Sequence, residues 1–240
     1  MAADTSEYKI VVIVPDDEGC RFYLEQYKPF RLASLQRDAH AFGSTYAREI
    51  EFDDEAWLGR IRNPLATTFV AVRCDDSNNS NNSNNNSNSN SQEVVASTSL
   101  IGPLPNTSPA SNPYQVISGA VTQGHDTNHS NSSSNNDESG EPLHFQMSAV
   151  YTSPVARGRG LAKSLIRAAT EEARNRARRQ GGTPLVLSVV VYAANRAAIS
   201  VYERCGFARS AGEEPKLVFN ALKNSSEREL NMYFQGGIVQ

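Results

Sequence analysis

A chain of 240 residues, 39% of them hydrophobic and with a formal net charge of −3, is long enough for one main core, and its charge gives no general pull toward nucleic acid or an anionic membrane. The three cysteines, Cys20, Cys74 and Cys205, are odd in number and have no Cys-x-x-Cys spacing, which fits a reducing compartment. Met1 to Glu7 lacks a basic and then apolar leader, and no apolar run is long enough to span a bilayer, so the expectation is a cytoplasmic or nuclear protein with neither membrane nor nucleic-acid partners.

The first expected element is a β-branched strand from Lys9 to Val14, closed by Pro15. Asp16-Asp17-Glu18 then suits a helix start, and the irregular apolar series Phe22, Leu24, Tyr27, Phe30, Leu32, Leu35 is broken at Pro29, which predicts two short helices. A further helix begins at Asp53-Asp54-Glu55, with acids in its first turn and Arg60 and Arg62 near its end. Thr67 to Arg73 and Val94 to Ile101 read as the arms of an antiparallel hairpin, the second stopped by Gly102-Pro103-Leu104-Pro105. Between them Ser77 to Ser91 is serine and asparagine only, and Thr127 to Asn136 is nearly as biased. Such composition has no apolar surface to offset the entropy of ordering, so segments of about 75–92 and 122–141 are expected to be disordered insertions in a single 1–240 domain. Tyr114 to Val121 has strand composition without a clear place. Leu143 to Tyr151 is a strand, Leu161, Leu165, Ile166, Ala169 and Ala173 recur at helical spacing, and Leu185 to Val191 is a buried strand. The i,i+4 pairs Arg167/Glu171 and Glu172/Arg176 lie on other faces of that helix, and Leu217 to Leu222 with Glu229 to Phe234 close the chain as a strand pair.

Between the strand at 143–151 and the long helix stands Arg157-Gly158-Arg159-Gly160-Leu161-Ala162. Glycines here let successive backbone N–H groups converge on an anion, and the helix that follows adds roughly half a positive charge at its N-terminus, so the segment reads as a phosphate pocket. Gly160 is followed by Leu161 and Ala162 and not by Lys-Ser/Thr, which disfavours nucleotide triphosphate hydrolysis. A dinucleotide fingerprint wants an acid roughly 20 positions on, where Gly181-Gly182-Thr183 stands. Arg-x-x-Gly-x-Ala, Arg157 to Ala162, resembles the acetyl-CoA pyrophosphate loop of the GNAT N-acetyltransferase superfamily. Downstream, the run from Asn195 to Phe207, Asn-x-x-Ala-Ile-x-x-Tyr-Glu-x-x-Gly-Phe, is similar to the second signature of that family.

The resemblance implies an α/β (α+β) fold: a mixed, mostly antiparallel sheet with helices on both faces and a splayed parallel strand pair forming the acetyl-CoA cleft. It implies acetyl-CoA as cosubstrate without a metal, and an N-acetyltransferase. The main chain of Arg157, Gly158, Arg159, Gly160, Leu161 and Ala162 would hold the pyrophosphate, Val150 and Tyr151 would line the pantetheine arm, and Asn195 would bond the arm and cap the following helix. Tyr202 would be the general acid. Phe30 to Leu35 with Ala41 to Ser44 resembles a substrate-side helix and turn. The expected acceptor is a small-molecule primary amine; a protein N-terminus or lysine, and a non-catalytic acyl-CoA-binding module, are the alternatives. Oligomeric state is open between monomer and homodimer.

A general base is not legible in Leu143-His144-Phe145-Gln146-Met147-Ser148, which lacks the strand carboxylate the family often uses. His144, Glu49, Glu51 and Asp53 are candidates, with a surface histidine the plainer reading of His144. His125 and His129 have the helical spacing of two metal ligands, yet their Gly/Asn/Ser surroundings favour a loop and no metal site.

Overall fold

The computed structural model describes residues 7–74, 92–104, 141–182 and 184–236. The Ser/Asn tracts, the 114–121 segment, His125 and His129 lie outside them. The chain divides into two compact units, one of residues 1–99 and 149–168, the other of 100–148 and 169–240.

In the first unit, β1 (Tyr8–Ile13) pairs antiparallel with β2 (Ala66–Arg73), from Tyr8↔Arg73 to Ile13↔Thr68. β2 is in turn hydrogen-bonded to β3 (Glu93–Leu104), and β3 to β4 (Leu143–Thr152). β2 reads as a nearly continuous apolar run because both its faces are covered, as Phe69, Val70, Ala71 and Val72 all show by being buried, while β3 buries Ser97, Thr98 and Ser99 at its centre. The main core packs Ile13, Val70, Val72 and Val94 against Tyr23, Tyr27, Trp57, Leu58 and Ile61.

The expected pair of helices before residue 38 is one helical run in three parts: α1 (Asp17–Phe22), a π-helical turn (Tyr23–Tyr27) and α2 (Lys28–Arg37). Pro29 does not break it. The N–H of Lys28 bonds to Tyr23 O, an i→i+5 bond, so the widened turn lies just ahead of the proline, which stands in the first turn of α2 where its missing donor costs little. α3 (Tyr46–Glu49) and α4 (Asp54–Ile61) follow, α4 capped by Asp53 through Ala56 N at 2.8 Å.

In the second unit the strand order is β3, β4, β5 (Leu185–Tyr192), β8 (Ser225–Phe234) and β6 (Phe207–Arg209), with β7 (Lys216–Asn220) on β8. β3 runs past the expected Ile101 and ends at Leu104, within the Gly102-Pro103-Leu104-Pro105 stretch expected to stop it, and Gly102 O accepts from Arg176 Nη1 at 2.8 Å, so the backbone there stays extended and partnered. β5 (Leu185–Tyr192) is parallel to β4 from Leu143↔Leu185 to Met147↔Val189 and antiparallel to β8 (Ser225–Phe234). β8 also pairs with β6 (Phe207–Arg209) and with β7 (Lys216–Asn220). The long helix α5 (Leu161–Arg179) buries Leu165, Ile166, Ala169, Ala173 and Ala177, the stripe its spacing predicts. Glu172 pairs with Arg176 as expected, whereas Glu171 pairs with Arg174 and Arg178.

Candidate functional site

β4 carries the first half of the site. Its pairing with β5 is recorded only as far as Met147↔Val189, although the strand continues to Thr152. Two residues past that point Ala149 adopts φ 53, left-handed backbone that is rare for a residue with a Cβ, and the Ser97 hydroxyl donates to Ala149 O at 3.4 Å. The strand is therefore bent, though continuous, immediately before Val150, the residue expected against the pantetheine arm. Val150 is half-buried; the side chain of Tyr151 is buried among Phe30, Phe42 and Leu35.

A 3-10 turn (Pro154–Ala156) leads to Arg157 in extended conformation, then Gly158 at φ 79 and Gly160 at φ 77. Both glycines need the left-handed region, and neither has an atom within 4 Å of a would-be Cβ, so their task is backbone shape and an open approach. α5 starts at Leu161, and the Ser164 N–H bonds to Gly160 O at 3.0 Å. An α-helix has no internal partners for its first N–H groups and carries partial positive charge at its N-terminus, so the open, left-handed turn at Gly158 and Gly160 leads into the end of α5 that favours an anion.

The two loop arginines are engaged by carboxylates. Arg157 Nη2 donates to Asp38 Oδ2 at 2.7 Å and its Nε to Thr152 O at 3.1 Å; Arg159 Nη1 donates to Glu7 Oε2 at 2.7 Å and lies over the Tyr8 ring. Asp38 also accepts from the Tyr151 hydroxyl at 2.7 Å. Burial pushes the Asp38 carboxyl up, but the Tyr151 bond and the Arg157 charge outweigh it and the net direction is down; the Tyr151 phenol is pushed up by burial and by that same bond. Sequence reading missed Asp38 altogether, because nothing local ties residue 38 to residues 151 and 157.

The Asn195–Phe207 segment forms α6 (Arg196–Arg204) with its flanks. Asn195 Oδ1 accepts from Ala198 N at 3.1 Å, a side-chain N-cap, and Ile199 and Tyr202 are buried on the inner face. Gly206, at φ 88, takes the chain out of the helix, and a Cβ there would meet the Phe234 ring at 3.3 Å. Tyr202 stacks at 5.8 Å on Phe207, which stacks at 5.4 Å on Phe234, so the Gly-Phe end of the motif fixes the tyrosine ring. Burial, and secondarily Cys205, raises the Tyr202 phenol well above its ordinary value.

Of the base candidates, Glu49 is overturned. It is 1% exposed, bonded to Arg31 at 2.9 and 3.1 Å and to Arg60 at 3.1 Å; although burial alone would raise its carboxyl, the two guanidiniums hold it down at about 2. A carboxylate so acidic and so occupied is a poor proton acceptor. Asp53 is spent on the α4 cap, Glu51 is exposed, and His144 is not a surface residue: it is half-buried with Nε2 enclosed and without a partner among the described residues. Among the described residues no group of three or more His, Cys, Asp or Glu is arranged to hold a metal ion, and no helix is long and apolar enough to cross a membrane.

The fold is a mixed α/β one with a glycine-containing turn ahead of its long helix, and comparisons with known proteins give matches to part of the sequence and to the fold. The acetyltransferase (GNAT) family model matches residues 124–207. Solved structures similar in fold include NAA60 from Arabidopsis thaliana in complex with a bisubstrate analogue, with a TM-score of 0.54, 15% identity, and 94% of this chain and 98% of that one covered. NAA60 from Arabidopsis thaliana in complex with acetyl-CoA gives 0.54, 15%, 95% and 97%. Spermidine N-acetyltransferase from Vibrio cholerae in complex with CoA and spermine gives 0.50, 13%, 95% and 95%. No curated protein matches the sequence. Residues 124–207 are thus similar to the GNAT acetyltransferases, and the chain shares the fold of solved acetyltransferase structures.

Proposed function

We propose that the protein acetylates a primary amine of a small molecule by direct attack on bound acetyl-CoA. The observation that carries the reading is the loop itself: two left-handed glycines with open space around them, set at the start of a 19-residue helix. Main-chain N–H groups of Gly158 to Ala162 would hold the pyrophosphate, with Arg157 and Arg159 shaping the loop. Val150 and the backbone of Tyr151, beyond the end of the β4–β5 pairing, would offer hydrogen bonds to the pantetheine amides, and Asn195 would bond the same arm while capping α6.

Acetyl-CoA supplies the acyl thioester. Transfer forms a C–N bond to the amine, breaks the C–S bond and leaves a thiolate that needs a proton. Tyr202 is the donor in this reading. Its raised pKa keeps it protonated at neutral pH but also makes it a weak acid, so the phenol is suited to a hydrogen bond that becomes proton transfer only as negative charge gathers on sulfur. The amine loses its own proton to water, since Glu49 is held as a fixed anion by Arg31 and Arg60.

Mass spectrometry of a pooled panel of polyamines, amino acids, aminoglycosides and short peptides, incubated with acetyl-CoA and either the native chain or Tyr202→Phe, tests the proposal. The expected result is an acetylated small amine whose rate of formation falls about 100-fold or more in the variant. Products confined to peptides would move the acceptor to a protein N-terminus or lysine. Acetyl-CoA binding without any product would favour a binding module.

A further inference from the structure

Arg157 opens the pyrophosphate loop, yet its guanidinium faces the protein. Nε is on Thr152 O, Nη2 is on Asp38 Oδ2, and the group sits over the Tyr151 ring with its carbon 5.8 Å from the centroid. The same Asp38 oxygen takes the Tyr151 hydroxyl. One carboxylate thus grips the chain on both sides of the 3-10 turn, at the end of β4 and at the first residue of the loop, from positions 113 and 119 residues away. The enclosed half of this grip is the Tyr151 bond: the Asp38 side chain is 17% exposed, Tyr151 is 7% exposed, and Phe30 and Phe42 pack on the tyrosine ring at 5.8 and 5.4 Å, whereas the Arg157 side chain is 52% exposed and its half of the ion pair is open to solvent. Asp38 is itself fixed, as the C-cap of α2 with its N–H on Ser34 O at 3.0 Å.

A loop with glycines at 158 and 160 has many accessible conformations, and few of them point successive N–H groups at one anion. Something must select among them. We propose that Asp38 is the positioning residue of the pyrophosphate loop: it clamps Tyr151 and Arg157 so that the glycine segment is already in its anion-binding shape, and Arg157 serves this clamp and not the phosphates. The proposal rests on the reading of Arg157 to Ala162 as the pyrophosphate site.

Two measurements on the full-length chain test it: calorimetric Kd for acetyl-CoA, and amide hydrogen exchange of residues 158–162 without ligand, for wild type, Asp38→Asn, Arg157→Gln and the double variant. Both single variants are expected to weaken binding about five- to tenfold, the double variant no more than either single one, because they break one device. Exchange at 158–162 should quicken in all three. If Arg157 contacts phosphate directly, Asp38→Asn releases it and affinity holds or rises while Arg157→Gln remains damaging; that outcome overturns the proposal, as do multiplicative losses or unchanged exchange. A lowered Tm with unchanged Kd would reduce Asp38 to a structural part and overturn it too. Should wild type fail to bind acetyl-CoA, the ligand reading falls, and the exchange rates alone decide whether Asp38 holds the loop.

Discussion

Glu49 shows how far a residue's environment can reverse its apparent chemistry. As a carboxylate near the expected acceptor side it was a natural base candidate, but two guanidiniums claim it: Arg31 lies over the Phe42 ring at 4.7 Å, and Arg60 over Phe52 at 4.9 Å and Trp57 at 5.0 Å. The triad ties α2, α3 and α4 together. Its folded-state pKa of about 2 lies below the reference 4.5, so the stabilisation is fully present above about pH 4.5 and is lost as pH falls through about 2. The linkage amounts to something on the order of 3 kcal/mol. Glu49→Gln leaves Arg31 and Arg60 without their counter-charge and is expected to cost about 3–5 kcal/mol at pH 7. Urea midpoints of both proteins at pH 7 and near pH 2 check this: the gap between them should shrink in acid. A gap of the same size at both pH values would mean that the charge of Glu49 contributes nothing. The carboxylate was legible in the sequence; its two partners, 18 and 11 residues away, were not.

At the scale of elements, what was legible followed from periodicity and local punctuation. The buried stripe of α5, the apolar runs of β2 and β5, and the acidic start of α4 are all set by residues within one turn or one strand, and each forms where the pattern puts it. The π-helical turn was not legible, because it reflects a competition between the Pro29 ring and continuous packing of Tyr23 and Tyr27 against Trp57. The position of β8 between β5 and β6 was hidden as well, since a strand's neighbours in a sheet are settled by partners distant in sequence. α6 offers the clearest element-level test. Asn195 is a side-chain N-cap, the proposed bond to the cofactor arm would be a second role on the same side chain, and aspartate caps as well as asparagine does. Asn195→Ala is expected to lose about 1 kcal/mol of stability, and Asn195→Asp only a few tenths. Both should weaken acetyl-CoA binding, since the carboxylate keeps the cap but loses the amide N–H₂ donor. Thermal melts alongside acetyl-CoA titrations separate the two; wild-type affinity in Asn195→Asp would leave the residue as a cap alone.

For the molecule as a whole, the chain's two compact units do not coincide with breaks in its regular structure. The boundary at 99/100 falls inside β3, the one at 148/149 inside β4, and the one at 168/169 inside α5. A linker between independent domains is normally irregular and polar, whereas these junctions are Ser99-Leu100, Ser148-Ala149 and Ala168-Ala169 within hydrogen-bonded strands or a helix. Melting either unit alone would require fraying both strands and the helix in mid-course, leaving the backbone groups of each broken end without partners. Single-domain behaviour is therefore the expectation: one cooperative thermal transition, with calorimetric and van't Hoff enthalpies in a ratio near one. Scanning calorimetry with far-UV and tryptophan signals recorded in parallel decides it, because Trp57 reports only on the first unit and the far-UV signal on both. A tryptophan transition well separated from the far-UV one would make the units independent. Coincident transitions would mean that the shared strands and helix transmit the loss of one half to the other, so that a substitution in the α2–α4 region lowers the stability of the Tyr202 segment as well.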